Sequence, residues 1–372
     1  MSNSPTDTPI IDPGGIVVTF VQTFMAVTQT PAVVVALIYG GRQYFYSYGS
    51  ADLATNTPAG ELTVFELASV TKVFTATLTA YELGDLSQPV TKYLPGSYVP
   101  NVGLSKVTLL QLLTHMSGMP DQIPGQPGEQ LFNGDAPPST LISWWEKFAA
   151  NSPIPGSCWQ YSNIGFVTLG WAVSAGEPNL YNTILREVIT DPLNMTQTSH
   201  DPLGTVATGY IGSTTKTRRA GGTAFDLKST SWDMMQFLSN CISPPGGPLG
   251  DAMLNTQTPQ ITDINDCTTG KPINFKMAMG WQISPVTSQG TDYSLVWKDG
   301  LTSLGGFTSW IGFVPNTIGI VLLANKAITS GETPPLTLGK AGRFILQTLM
   351  DVDVPGASVV PEEIHPTMLG NE

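Results

Sequence analysis

Apolar and β-branched residues collect in two pairs of short runs near the two ends of the chain. Residues 32–39 and 43–48 flank Gly40-Gly41, and residues 308–314 and 318–324 flank Pro315, Asn316 and Thr317. Each pair predicts a β-hairpin, because strand-forming residues bracket a turn-forming break. Two terminal hairpins predict a single sheet, with residues 338–350 packing on it as a helix. The expected organisation is therefore a discontinuous α/β domain of residues 1–84 and 273–372. A mainly helical subdomain, residues 85–272, is inserted into it. Its helices are expected at residues 109–114, 140–149, 163–175, 179–189 and 229–239. Residues 10–27 read both ways, their Val and Thr content favouring strand and their length favouring helix. Val73, Phe74, Thr77, Leu78 and Tyr81 fall at helical spacing, and Gly84 is placed to end that amphipathic helix. No internal repeat is present.

Composition narrows the function classes. With 372 residues, 41% of them hydrophobic, the chain can build two sizeable cores and shows no sign of disorder. A formal net charge of −12 and only 16 Lys and Arg exclude an electrostatically driven nucleic-acid or anionic-membrane partner. No run approaches the ~20 apolar residues of a membrane helix. The first residues lack the basic start and apolar stretch of a signal peptide, which leaves a cytoplasmic chain or one whose leader has been removed. Cys158, Cys241 and Cys267 are too few and too widely spaced for a disulfide framework, although one pair could form. No cofactor is expected. The three histidines, His115, His200 and His365, are scattered and lack zinc-ligand spacing.

The candidate chemistry centres on Ser69 and Lys72. An S-x-x-K spacing puts a hydroxyl and an ammonium one helical turn apart on one face. A serine becomes a useful nucleophile only beside a group that takes its proton or stabilises its anion. The pattern recurs at Ser213 and Lys216, but there Thr, Gly and the pair Arg218-Arg219 surround it, and a solvated loop is expected. Only the first copy precedes a helix, whose unpaired N–H groups and dipole favour an oxyanion nearby.

Two further patterns matter if they meet Ser69 in space. Tyr161, Ser162 and Asn163 form the only Y-x-N of the chain and open an apolar stretch. A tyrosine is a poor base at neutral pH. An ammonium ~4 Å away, at an effective dielectric of ~20, contributes about 4 kcal/mol, near 3 pKa units before desolvation opposes it. Lys298, Asp299 and Gly300, ahead of a strand, could bring a second lysine and a close backbone approach. K-x-G also occurs at Lys340 to Gly342, in the expected terminal helix.

The order Ser69-x-x-Lys72, Tyr161-x-Asn163, Lys298-x-Gly300 resembles the three motifs of class C β-lactamases and the related serine esterases and penicillin-binding-type peptidases. The flanks agree: residues 34–39, 45–52 and 65–69, Leu169-Gly170, residues 279–281, Gly306-Phe307 and residues 323–326 follow the family in order. The likeness spans roughly residues 16–350. It implies a β-lactamase/transpeptidase-like fold, an antiparallel sheet flanked by helices. It also implies a small-molecule acyl substrate attacked by Ser69, with Lys72 and Tyr161 managing the proton and Lys298 tuning Tyr161. The resemblance places the oxyanion hole at the backbone N–H groups of Ser69 and Leu301. It gives Asn163 a bond to Lys72 and to a substrate amide, and makes Gln122 a substrate contact.

Two departures point one way. The family's small hydroxyl residue within the third triplet is replaced by Asp299, and the carboxylate-binding Asn and Arg after the Leu-Ala-Asn-Lys strand end have no counterpart in residues 327–333. A carboxylate facing a substrate carboxylate is repulsive. The expectation is a serine acyl hydrolase acting on esters or amides, weak on ordinary β-lactams. The alternatives are a true class C β-lactamase, a D-amino-acid amidase or peptidase whose Asp299 and Gly300 border a substrate amine, and a non-catalytic binding module. A Ser/His/Asp hydrolase is disfavoured, since no histidine is as well placed as the Lys/Tyr pair.

Overall fold

The computed structural model describes residues 12–96, 103–123, 139–149, 153–212, 214–216, 222–302, 305–328 and 332–352. Its centre is an eight-stranded sheet in the order Thr57–Pro58, Arg42–Asp52, Ala32–Tyr39, Ile318–Ala324, Phe307–Val314, Thr291–Thr302, Gln282–Ser288, Lys276–Met277. Every pairing in it is antiparallel. The two predicted hairpins meet in the middle, where Val33 to Ile38 pair with Ala324 back to Gly319. These central strands are apolar throughout because both of their faces are covered. Val33, Val35 and Leu37 pack under the helices Gly14–Thr28 and Leu338–Val352, while Val34 and Ala36 face Thr71–Glu82 and Ser231–Ile242. The stretch that read both ways is thus the helix Gly14–Thr28, with Ile10 and Ile11 outside the described residues.

Between the sheet halves lie the helices Leu109–Leu113, Ser139–Lys147, Asn163–Val173, Pro178–Leu185, Ser231–Ile242 and Pro248–Thr256. The helix expected at 179–189 gives way at Arg186 to a π-turn, Arg186–Thr190. Val90, Leu104, Leu112, Trp145, Ile164 and Phe166 form a separate apolar cluster there, joined by Ala76 and Met279.

Two sequence expectations are corrected. The helix Thr71–Glu82 is not amphipathic: every residue from Thr71 to Thr79 is buried, and Tyr81 is 40% exposed. Its buried threonines are tolerated because their hydroxyls bond inside the protein, Thr77 Oγ1 to Val73 O at 2.8 Å and Thr79 Oγ1 to Thr75 O at 2.7 Å. The second S-x-x-K copy does not lie in a loop: Thr214–Lys216 is a short strand paired with Gly209–Ile211, and Ser213 falls outside the described residues. Of the cysteines, Cys158 and Cys267 are joined and Cys241 is free and buried.

Candidate active site

Ser69 sits in a short 3₁₀ turn, Ala68–Val70, that runs directly into the buried helix. Ala68, directly before Ser69, carries φ +48°, a conformation few alanines adopt. The turn is stapled from behind: Leu67 N–H bonds Leu227 O at 2.8 Å, Leu227 N–H bonds Thr71 Oγ1 at 3.1 Å, and Ser309 Oγ donates to Leu67 O at 2.6 Å. Lys72, one turn on, is fully buried. Its Nζ donates to Ser69 Oγ at 3.0 Å, Asn163 Oδ1 at 2.5 Å and Ala224 O at 3.0 Å. Three donors meet three acceptors. Burial pushes the Lys72 ammonium well below the usual lysine range, and the charge of Lys298 pushes the same way.

Tyr161 precedes the helix Asn163–Val173, and its hydroxyl lies 2.6 Å from Ser69 Oγ. Ser162 caps that helix by accepting from Gly165 N–H at 2.9 Å, and it donates to Pro120 O at 2.8 Å. His115, at φ +57°, brackets the tyrosine: its carbonyl accepts from Gln160 N–H at 2.8 Å and its Nδ1 from Ser162 N–H at 3.1 Å. That acceptor role leaves the ring hydrogen on Nε2 and the imidazole neutral. Burial holds its pKa well below 6.5, with the Lys72 and Lys298 charges adding to the effect. The Cys158–Cys267 disulfide ties the same segment to residues 265–267, beside bonds from Trp159 N–H to Asn265 O and from Cys267 N–H to Trp159 O.

The third motif lies on the strand Thr291–Thr302. Lys298 is buried, with Nζ 5.2 Å from the centre of the Tyr161 ring; Lys72 Nζ is 4.8 Å from that centre. Gly300 is there for space. A Cβ on it would stand 2.5 Å from Leu67 O and closer still to Ser309 Oγ, so only glycine lets the strand pass the Ser69 turn. The Gly300–Leu301 peptide is thereby laid alongside that turn. Asp299 is 56% exposed and pairs with Lys298 at 3.3 Å.

The structure therefore brings Ser69, Lys72, Tyr161, Asn163, Lys298, Asp299 and Gly300 into one neighbourhood. On the turn after Pro120, however, it is Asp121 that reaches Asn163, accepting from Nδ2 at 2.7 Å and from the backbone N–H at 3.3 Å; Gln122 beside it is exposed. Sequence reasoning passed over Asp121, His115 and Arg343. The Arg343 guanidinium stacks 4.3 Å over Trp297 and is close enough to feel the Asp299 charge, while burial lowers its pKa to about 10. Only the adjacency of Asp121 to Gln122, the expected substrate contact, offered a signal. Among the described residues no group of three His, Cys, Asp or Glu could hold a metal ion, and no helix is long and apolar enough to cross a membrane.

Comparison with known proteins shows the family. Residues 17–338 match the family model described as Beta-lactamase. A protein named Beta-lactamase from Psychrobacter immobilis is 27% identical over 368 residues, covering 89% of this chain and 86% of its own. One of the same name from Yersinia enterocolitica is 28% identical, covering 80% of this chain and 82% of its own. One from Pseudomonas fluorescens is 28% identical, covering 84% and 93%. The match runs over most of the chain and takes in all three motifs, so the chain belongs to the Beta-lactamase family and is a serine hydrolase.

Proposed function

We propose that the protein is a serine acyl hydrolase that works through an acyl-enzyme on Ser69 and prefers esters or amides to ordinary β-lactams. The observation that carries the reading is the position of Ser69 Oγ, 3.0 Å from Lys72 Nζ and 2.6 Å from the Tyr161 hydroxyl. Two lysine cations beside the Tyr161 ring favour its phenolate. In acylation the Ser69 proton passes to that oxygen while Oγ forms a bond to the substrate carbonyl. The resulting oxyanion is held by the N–H groups of Ser69 and Leu301, a contribution for which loss of one donor costs roughly 100-fold or more. The carbonyl re-forms, the leaving alcohol or amine departs, and it takes its proton from Tyr161. Water, deprotonated by Tyr161, then attacks the acyl-enzyme carbonyl, and Ser69 Oγ departs with the proton returned by Tyr161, which frees the acid and restores the base.

The substrate preference rests on Asp299. By pairing with Lys298 it supplies from within the chain the carboxylate that a penicillin or cephalosporin would otherwise bring to that lysine. The relatives named Beta-lactamase favour a second reading, in which β-lactams are the true substrates. A p-nitrophenyl butyrate and nitrocefin pair separates them. The expected result is a kcat/KM for the ester roughly 10-fold or more above that for nitrocefin, the size of one lost charge-assisted contact. A nitrocefin rate above the ester rate supports the second reading.

A further inference from the structure

Asn163 stands between a cation and an anion, and only one orientation of its amide suits both. An ammonium can only donate and an ionised carboxylate can only accept. The carbonyl Oδ1 must therefore face Lys72 and the Nδ2 group must face Asp121, as the 2.5 Å and 2.7 Å contacts have it. The backbone N–H of Asn163 also bonds Asp121 Oδ1, so one carboxylate oxygen fixes both the main chain and the side chain of this residue.

We infer that Asp121 is a positioning residue for the reaction: its carboxylate locks the Asn163 amide, and the locked amide holds Lys72 Nζ against Ser69. The inference rests on the proposed role of Lys72 and assigns no contact between Asp121 and substrate. It has a second, electrostatic part. Several groups face Lys72: Lys298 and Asp299 from the strand Thr291–Thr302, Asp226 from the segment before Lys228–Ser229, Tyr161 from the segment before its helix, and His115 after Leu109–Leu113. Among the carboxylates that oppose the lowering of the Lys72 pKa, Asp121 has the largest influence. Burial in turn raises Asp121, and the Lys72 charge restrains that rise. Removing the negative charge must lower the pKa of Lys72.

Two variants separate charge from geometry. Asp121→Asn keeps an oxygen able to accept from Asn163 but loses the charge, whereas Asp121→Ala loses both. Protein carrying ¹³C-labelled lysine is titrated by NMR, with the Lys72 resonance assigned by its loss in Lys72→Arg. The Lys72 midpoint is expected to fall by roughly half a pH unit or more in both Asp121 variants. With p-nitrophenyl butyrate, kcat is expected to drop roughly tenfold in Asp121→Ala and less in Asp121→Asn, with the alkaline limb of the pH profile, where the Lys72 cation is lost, displaced to lower pH in both. An unchanged Lys72 midpoint in Asp121→Asn overturns the inference, as does equal kcat in wild type and Asp121→Ala. A wild-type Ser69 that never acylates would instead undo the proposed function and leave the Lys72 titration standing.

Discussion

The two walls of the candidate site are built differently. On the helix wall, Lys72 is fully buried and bonded to Ser69, Asn163 and Ala224, and Asn163 is locked to Asp121. On the strand wall, Lys298 is buried but Asp299 beside it is 56% exposed, and Gly300 presents bare backbone. A buried, fully paired network cannot change one member without stranding another, so in the proposed mechanism the helix wall is the part that fixes the chemistry. An exposed side chain on a strand can change at little cost to the fold, so the strand wall is where substrate preference can vary. Substitutions on the two walls should therefore differ in kind.

The largest effect belongs to the helix wall. Lys72→Ala strands Asn163 Oδ1 and removes the cation beside Ser69 and Tyr161, so ester kcat should fall roughly 1000-fold or more with little change in KM. A loss confined to KM would place Lys72 in binding instead. Gly300→Ala comes next. Its Cβ has no room beside Leu67 O and Ser309 Oγ, so the strand must move away from the Ser69 turn. We expect kcat to drop roughly 10- to 100-fold with a stability cost of about 1–3 kcal/mol, checked by steady-state kinetics and urea unfolding. Asp299→Thr should act oppositely, leaving ester turnover within a few-fold and raising nitrocefin kcat/KM roughly 10-fold. Nitrocefin turnover that is already high in wild type, or unmoved by the substitution, would break the contrast between the walls.

The smallest effect is on stability. His115 is held neutral in the folded protein with a pKa well below the 6.5 of the free side chain. Below that pH the unfolded chain binds a proton that the folded chain does not, so stability is present above about 6.5 and is lost as pH falls. One such group contributes a slope of about 1.4 kcal/mol per pH unit. His115→Asn offers Ser162 N–H an oxygen in place of Nδ1 and should flatten the stability profile between about pH 6 and 5 by that amount. An equally steep profile in the variant would mean that His115 is protonated in the folded state.

The parts legible in the sequence are those set by local pattern. The two central strands, Ala32–Tyr39 and Ile318–Ala324, are readable because strands buried on both faces are continuous apolar runs, and Ser69 with Lys72 because one helical turn fixes their separation. The rest depends on distant partners. The helix Thr71–Glu82 reads as amphipathic because Lys72, Thr75 and Thr79 lie opposite the stripe of Val73, Phe74, Thr77, Leu78 and Tyr81, yet the Thr75 and Thr79 hydroxyls bond carbonyls within the protein and Lys72 is paired, which allows full burial. Asp121 acquires meaning only when the turn after Leu109–Leu113 meets Asn163, 42 residues on. Arg343 reaches Trp297 from the terminal helix, and Cys158 finds Cys267 across 109 residues. No local spacing encodes these meetings.

Covalent capture of the Ser69 nucleophile tests the central claim most directly. The protein is incubated with a p-nitrophenyl alkylphosphonate, its intact mass is measured, and the modified peptide is sequenced by tandem mass spectrometry. A single phosphonyl adduct on Ser69, absent from Ser69→Ala and slowed in Lys72→Ala, is the predicted result. No adduct, or an adduct on any other residue with Ser69 unmodified, would contradict it.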